Sequence, residues 1–186
     1  RSQWKAKEIE KNPSLAKVKF SEPVVTSALT HGLRIVAELF ASSSAELVIP
    51  DLFWDNYELI FQEAVGCRVR HFNTFRRGAF DAAAMKAALM SPGAKKILIL
   101  NFPNNPTGYT ATLADAKKIV SAVKAAAAAG KKVVVVLDDA YFGLVYDEGI
   151  HEESLFAEFA TLHRNVLAVK LDGTTKEDYA WGLRVG

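Results

Sequence analysis

Apolar runs of strand length alternate with stretches of helical periodicity along most of the chain. The first run, Val24-Val25 leading into Ser27-Ala28, predicts a strand. Leu33, Val36, Ala37 and Phe40 then fall at i, i+3, i+4 and i+7, one apolar face of a helix. Glu46 to Ile49 predicts a short strand stopped by Pro50, Asn56 to Ala64 a helix ending at Gly66, and Arg68 to Phe72 another strand. Asp81 is placed to cap an alanine-rich helix running to Met90, closed by Ser91-Pro92-Gly93. Lys96 to Leu100 reads as a buried strand. Thr112 to Ala129 reads as a helix, with Ala116, Ile119, Val120 and Val123 on one face and Gly130 as its stop. Val133 to Leu137 is a further apolar strand, Ser154 to Leu162 is helical, and Val166 to Val169 is the last strand. Residues 1–22, weakly periodic and rich in lysine, predict a leading helix and an extended connector around Pro13 and Pro23.

Continuous apolar strands separated by helices imply an α/β fold, a mostly parallel sheet covered on both faces in three layers. Composition narrows the class. With 186 residues, 50% hydrophobic and 24% charged, the chain can build a core, which excludes disorder. A net charge of +2 without a basic cluster argues against nucleic acid as the main partner. The single cysteine, Cys67, excludes an internal disulfide framework and suits a reducing compartment; with four scattered histidines it leaves no Cys/His metal site. No apolar run approaches the ~20 residues of a membrane span. Trp4 sits amid charges, so the start does not read as a signal peptide, and a cytoplasmic location is expected.

In an open α/β sheet, ligands bind at the carboxyl ends of the strands, so the segments after each strand carry the functional signal. They are Leu29-Thr30-His31-Gly32, Pro50 to Trp54, Asn101 to Gly108, Asp138-Asp139-Ala140-Tyr141 and Asp172 to Lys176. Together they bring an anion-binding helix start, a large aromatic, an amide, a carboxylate, a phenol and an amine to one edge. Each has a bland alternative. Thr30 alone reads best as an N-cap, Trp54 as a core aromatic, and Lys176 and Arg184 as solvated charges. The Asn-Asn-Pro-Thr-Gly run is also turn chemistry. Asp138 and Asp139 compete for the inward position.

Three stretches carry a resemblance. "NFPNNPTG" at Asn101–Gly108 resembles the NPxNPTG signature of pyridoxal-phosphate aminotransferases of fold type I, class I/II. "DDAYFGL" from Asp138 resembles their Asp-x-Ala-Tyr segment. "TTKEDYAWGLRVG" resembles their Ser-x-Ser-Lys…Arg-x-Gly segment, with Lys176 and Arg184 eight apart. The likeness covers roughly Val24 to Gly186 and implies pyridoxal 5′-phosphate as cofactor, with amino-acid and 2-oxo-acid substrates.

The resemblance implies that Lys176 forms the Schiff base with the cofactor aldehyde and, once freed, moves the substrate proton. It makes Asp138 the partner of the pyridine nitrogen, chosen over Asp139 because it begins the match. Tyr141 and Asn105 resemble the donors to the phenolic oxygen, and Trp54 the aromatic stacked on the ring. Leu29 and Thr30 match the phosphate cup, Arg184 the phosphate arginine, and Thr175 a hydroxyl donor to the same phosphate. Two positions depart. Gly173 stands where serine is common, leaving one phosphate hydroxyl missing or supplied by Thr174. His31 stands where a small residue is frequent, as a backbone contact or a local specificity feature.

The family's chains are longer. The resemblance therefore makes residues 23–186 a partial cofactor-binding large domain after a 1–22 connector, with the N-terminal arm and small domain outside the chain. It implies a homodimer for the longer enzyme. A sheet lacking an inner strand exposes unpaired edges, so the isolated fragment is expected to self-associate or be poorly stable; a stable monodisperse monomer in ultracentrifugation counts against this. Other reactions on the same scaffold (C–S lyase, decarboxylase, racemase) and a cofactor-sensing domain of a transcription regulator stay open. A nucleotide-binding doubly wound domain lacks its glycine motifs.

Overall fold

The computed structural model describes residues 1–186. Five strands form one parallel sheet: β1 (Ala45–Pro50), β2 (Arg68–Phe72), β5 (Lys95–Asn101), β6 (Lys132–Asp138) and β7 (Val166–Leu171), in the order β2-β1-β5-β6-β7. A two-residue hairpin pair, β3 (Phe75–Arg76) and β4 (Ala79–Phe80), stands apart from it. The helices are α1 (Ser2–Lys11), α2 (Ala28–Phe40), α3 (Asn56–Glu58, running on through a π-helical turn at Leu59–Glu63), α4 (Ala82–Met90), α5 (Leu113–Ala128), α6 (Phe156–Ala160) and α7 (Thr174–Glu177).

The strands alternate between two cores. Leu47, Ile49, Ile97, Ile99, Val134 and Val136 pack with α2 and the α3 segment, whereas Val48, Leu98, Leu100, Val133, Val135 and Leu137 pack with α4, α5 and α6. A continuous apolar run is therefore the signature of a strand buried on both faces. The helix ends follow local chemistry: Asp81 accepts from Ala84 N–H at 2.8 Å, and Thr112 accepts from Asp115 N–H at 3.1 Å. Glu46 and Lys96 meet at the amino ends of β1 and β5, both fully buried.

The predicted first strand does not form. Residues around Val24 and Val25 are extended but unpaired with the sheet, and both side chains are exposed. Pro23 removes a donor there, and the segment pairs instead at Thr26, whose N–H and C=O bond Gly186 at 2.7 and 3.2 Å. The hairpin was not foreseen. Its turn residues, Arg77 and Gly78, both have positive φ, as a type I′ turn requires.

Candidate active site

The chain's main cavity, about 230 Å³, opens at the carboxyl ends of β5, β6 and β7 and the start of α2. All nine residues singled out from the sequence line it: Leu29, Thr30, Trp54, Asn105, Asp138, Tyr141, Thr175, Lys176 and Arg184.

Strand parity decides between the two aspartates. Asp138 closes β6 on the face of Val134 and Val136, so it points into the cavity; Asp139 turns to the other side, toward Lys170 at 3.3 Å. Asp138 is buried. Its Oδ2 accepts from Tyr57 OH at 2.7 Å and its Oδ1 from Ala140 N–H at 3.2 Å. Burial pushes this carboxyl above its ordinary range, and the Tyr57 bond, the Ala140 amide and the Lys176 charge only partly pull it back. Burial and then the Asp138 charge raise the Tyr57 phenol well above its usual value, so Tyr57 stays a donor. Tyr57 stands in turn edge-on to Trp54, with ring centroids 5.6 Å apart.

Asn101, opposite Asp138 in the β5–β6 register, organises the floor. Its amide donates to Asp138 C=O at 2.7 Å and its Oδ1 accepts from Asn105 N–H at 2.8 Å. The rest of the proline-rich loop is held locally, by Thr107 N–H and hydroxyl on Asn104 Oδ1. Lys176 lies on α7, beyond β7, with its Nζ 4.9 Å from the centre of the Tyr141 ring. Burial alone does not orient it; the short α7 turn does.

Thr30 is not the cap of α2. Ser27 holds that position, the chain passes through a left-handed Ala28 (φ 64°), and Thr30 sits one turn in, facing the cavity. The end of this 13-residue helix thus presents free amides and a hydroxyl, a ready anion site. His31 is outside the cavity; its Nδ1 accepts from Ser27 N–H at 3.1 Å, a local cap. Gly173 has no room for a side chain, since a Cβ there would lie 2.5 Å from Leu29 Cδ1 and 2.9 Å from Val185 C=O. The Thr174 hydroxyl lies off the cavity and donates to Val185 C=O at 3.4 Å, whereas Thr175 lines it.

Beyond those nine, Ala28, Tyr57, Asn101, Ala140 and Trp181 also line it; Asn101 and Trp181 fall in the stretches singled out from the sequence but were given no role, and Tyr57 was not singled out at all. Tyr57 lies three residues after Trp54, one helical turn on, which is the sole local sign that both share a face. No group of three or more His, Cys, Asp or Glu is arranged to hold a metal, and no helix is long and apolar enough to cross a membrane.

A parallel sheet that ends in a buried aspartate, an amine on a short turn and the start of a helix thus meet at one cavity of an α/β fold. The chain belongs to the aminotransferase class I and II family, whose profile matches residues 6–186. It is 26% identical to the aspartate aminotransferase of Musicola paradisiaca over 163 residues, 88% of this chain and 38% of that protein. It is 30% identical to the histidinol-phosphate aminotransferase of Moorella thermoacetica over 170 residues, 91% and 40% of the two chains. An aminotransferase structure from Anaerococcus prevotii superposes with a TM-score of 0.79 at 26% identity, covering 88% of this chain and 41% of that one. The chain thus spans about two-fifths of the length of the curated relatives it matches.

Members of this family use pyridoxal phosphate, and the cavity suits it. Asp138 is buried, retains acceptor capacity beyond its two donors, and is suited to a cationic ring N–H. The α2 start, Thr30, Thr175 and Arg184 bring hydrogen-bond donors to the cavity, and Lys176 brings an amine.

Proposed function

We propose that this chain is the central part of the cofactor-binding large domain of an aminotransferase, which moves an amino group between an amino acid and a 2-oxo acid. The observation that carries the reading is the convergence of Lys176, Asp138 and Tyr141 with a phosphate-type donor set on one cavity. Pyridoxal phosphate supplies an aldehyde that condenses with amines and a ring that accepts the electron pair released at the substrate Cα. The chain's own groups do the rest. Lys176 Nζ would hold the cofactor through its aldehyde and is the group placed to move the proton at the substrate Cα. Asp138, held by Tyr57, would pair with the protonated ring nitrogen. Tyr141 and Asn105 would donate to the phenolic oxygen, and Trp54 would stack on the ring. The α2 amides, Leu29 and Thr30, with Thr175 and Arg184, would bind the phosphate.

The reading also places the protein in the cytoplasm as a homodimer, with residues 1–22 a connector to the partial large domain at 23–186. Its test is reduction of the pyridoxal-phosphate complex with borohydride and mapping of the modified lysine. Sole, stoichiometric modification at Lys176 is expected; an unmodified Lys176 with label elsewhere refutes the assignment. An assay of 2-oxo-acid-dependent amino transfer against pyruvate release separates transamination from elimination on the same scaffold.

A further inference from the structure

The turn that carries Lys176 cannot hold itself. α7 is four residues long, begins at Gly173 without a side-chain cap, and is followed by Tyr179, Trp181 and Leu183, all largely exposed. A helix of that length has too few internal bonds to persist alone; its closing bonds are Asp178 and Ala180 N–H on Thr174 C=O, both at 3.1 Å. Something outside must fix it.

That fixture is the amine of Lys11, at the end of α1. Its Nζ lies 3.0 Å from Asp172 Oδ2 and 2.8 Å from Glu177 Oε2, so one ammonium ties the residue before the turn to the residue just after Lys176. Glu8 Oε1 stands 3.1 Å from the same nitrogen. Lys170, buried beside it on β7, reaches the other Glu8 oxygen at 2.7 Å, Asp172 Oδ2 at 2.8 Å and Asp139 Oδ2 at 3.3 Å. Both amines lie over the Phe142 ring, at 5.1 and 5.4 Å, next to Tyr141. Asp172 also fixes the entry to the turn, accepting from Gly173 N–H at 2.7 Å. None of Glu8, Lys11, Asp172 or Glu177 lines the cavity.

We propose that Lys11 is a positioning residue for Lys176: by bridging Asp172 and Glu177 it docks α1 onto the α7 turn and holds the reactive amine against Tyr141. The network is nearly dry, which makes the constraint stiff. Burial acts to discharge Lys11, but Asp172, Glu177 and Glu8 more than offset it and keep the ammonium charged. The proposal rests on the function proposed above for Lys176.

The test compares Lys11→Met, Lys11→Arg and Glu177→Gln with the parent protein. Hydrogen exchange is measured without cofactor, and steady-state amino transfer with it. Lys11→Met is expected to speed amide exchange across residues 174–180 about tenfold while β5 and α5 exchange as before. It should lower kcat about tenfold with KM changed less than about twofold, because the loss is of geometry rather than substrate binding. Lys11→Arg should restore both. Glu177→Gln discharges the same bridge from its less buried side and should speed exchange at 174–180 in the same direction, though less, even where Lys11→Met fails to fold. Parent-like exchange at 174–180 in both Lys11→Met and Glu177→Gln overturns the proposal, as does a kcat loss that Lys11→Arg shares in full. If the parent shows neither amino transfer nor modification at Lys176, the proposed function fails; the exchange comparison still decides whether Lys11 holds the turn.

Discussion

The two ends of the central sheet handle buried charge in opposite ways. At the amino ends, Lys96 Nζ meets Glu46 Oε2 at 2.5 Å, Ser91 hydroxyl at 2.7 Å and Pro92 C=O at 2.9 Å, while Arg70 Nε takes the other Glu46 oxygen at 3.1 Å. Burial pushes the Glu46 carboxyl up, but bonds from Arg70, Lys96 and Ser91 more than offset it and bring it down to about 2. At the carboxyl end of β6, burial wins: Asp138 stays raised and Asp139 is pushed up to about 6 despite Lys170. Glu46 is answered by the fold itself, whereas Asp138, which lines the cavity, is left with acceptor capacity that a ligand can take.

The sharpest way to break the comparison is Lys176→Ala. It should cut amino transfer by roughly 10³-fold or more, with the thermal midpoint nearly unchanged, since Lys176 makes no ion pair with a carboxylate within 4 Å. Lys96→Met should do the reverse. It strands Glu46 in the core and is expected to cost about 3 kcal/mol in urea unfolding, with activity per folded molecule intact.

Gly173→Ser tests whether the carboxyl end has spare room. The new side chain meets Leu29 and Val185, so a loss of about 1–3 kcal/mol is expected, together with weaker cofactor binding by titration.

Acid and base should separate the ends further. Glu46, depressed in the fold, contributes stability that is present above pH 4.5 and lost as pH falls toward about 2. Asp139, raised in the fold, contributes stability that is present below about pH 4 and lost as pH rises through about 6. Asp139→Asn should therefore flatten the stability profile between pH 4 and 7 by about 3 kcal/mol and leave the acid limb untouched. The smallest effect is expected for Tyr57→Phe. It removes one donor to Asp138, costs about 1 kcal/mol, and should raise the pH at which the carboxyl titrates in NMR, because the lost bond favoured its ionised form.

Where a residue's role was set by its sequence neighbours, the sequence disclosed it. Arg68–Phe72 and the Asp81-capped helix have their predicted bounds, the helix because capping is local. The site motifs were legible for a related reason: each follows a strand, and parallel strands end together. Val24-Val25 misled because two β-branched residues after Pro23 have strand propensity but no neighbouring strand to pair with. Helix 154–162 shrank to Phe156–Ala160, its ends spent on turns. Tyr57, Asn101 and Lys11 left little trace, since each acts on a partner fixed by tertiary packing, from the α3 segment to β6, across β5 and β6, and from α1 to α7. No local pattern encodes a pairing made across the whole chain.

The reciprocal bonds between Thr26 and Gly186 set the order in which the molecule can assemble. They close a loop of roughly 160 residues, the kind of contact whose entropy makes it form late. The strands and helices between can collapse first on local and nearest-neighbour contacts. The α2 start and the Lys176 turn come together only once both ends of that loop have met. Folding kinetics should then show two events: a sheet that forms without ligand, and a slower closure that cofactor accelerates or traps.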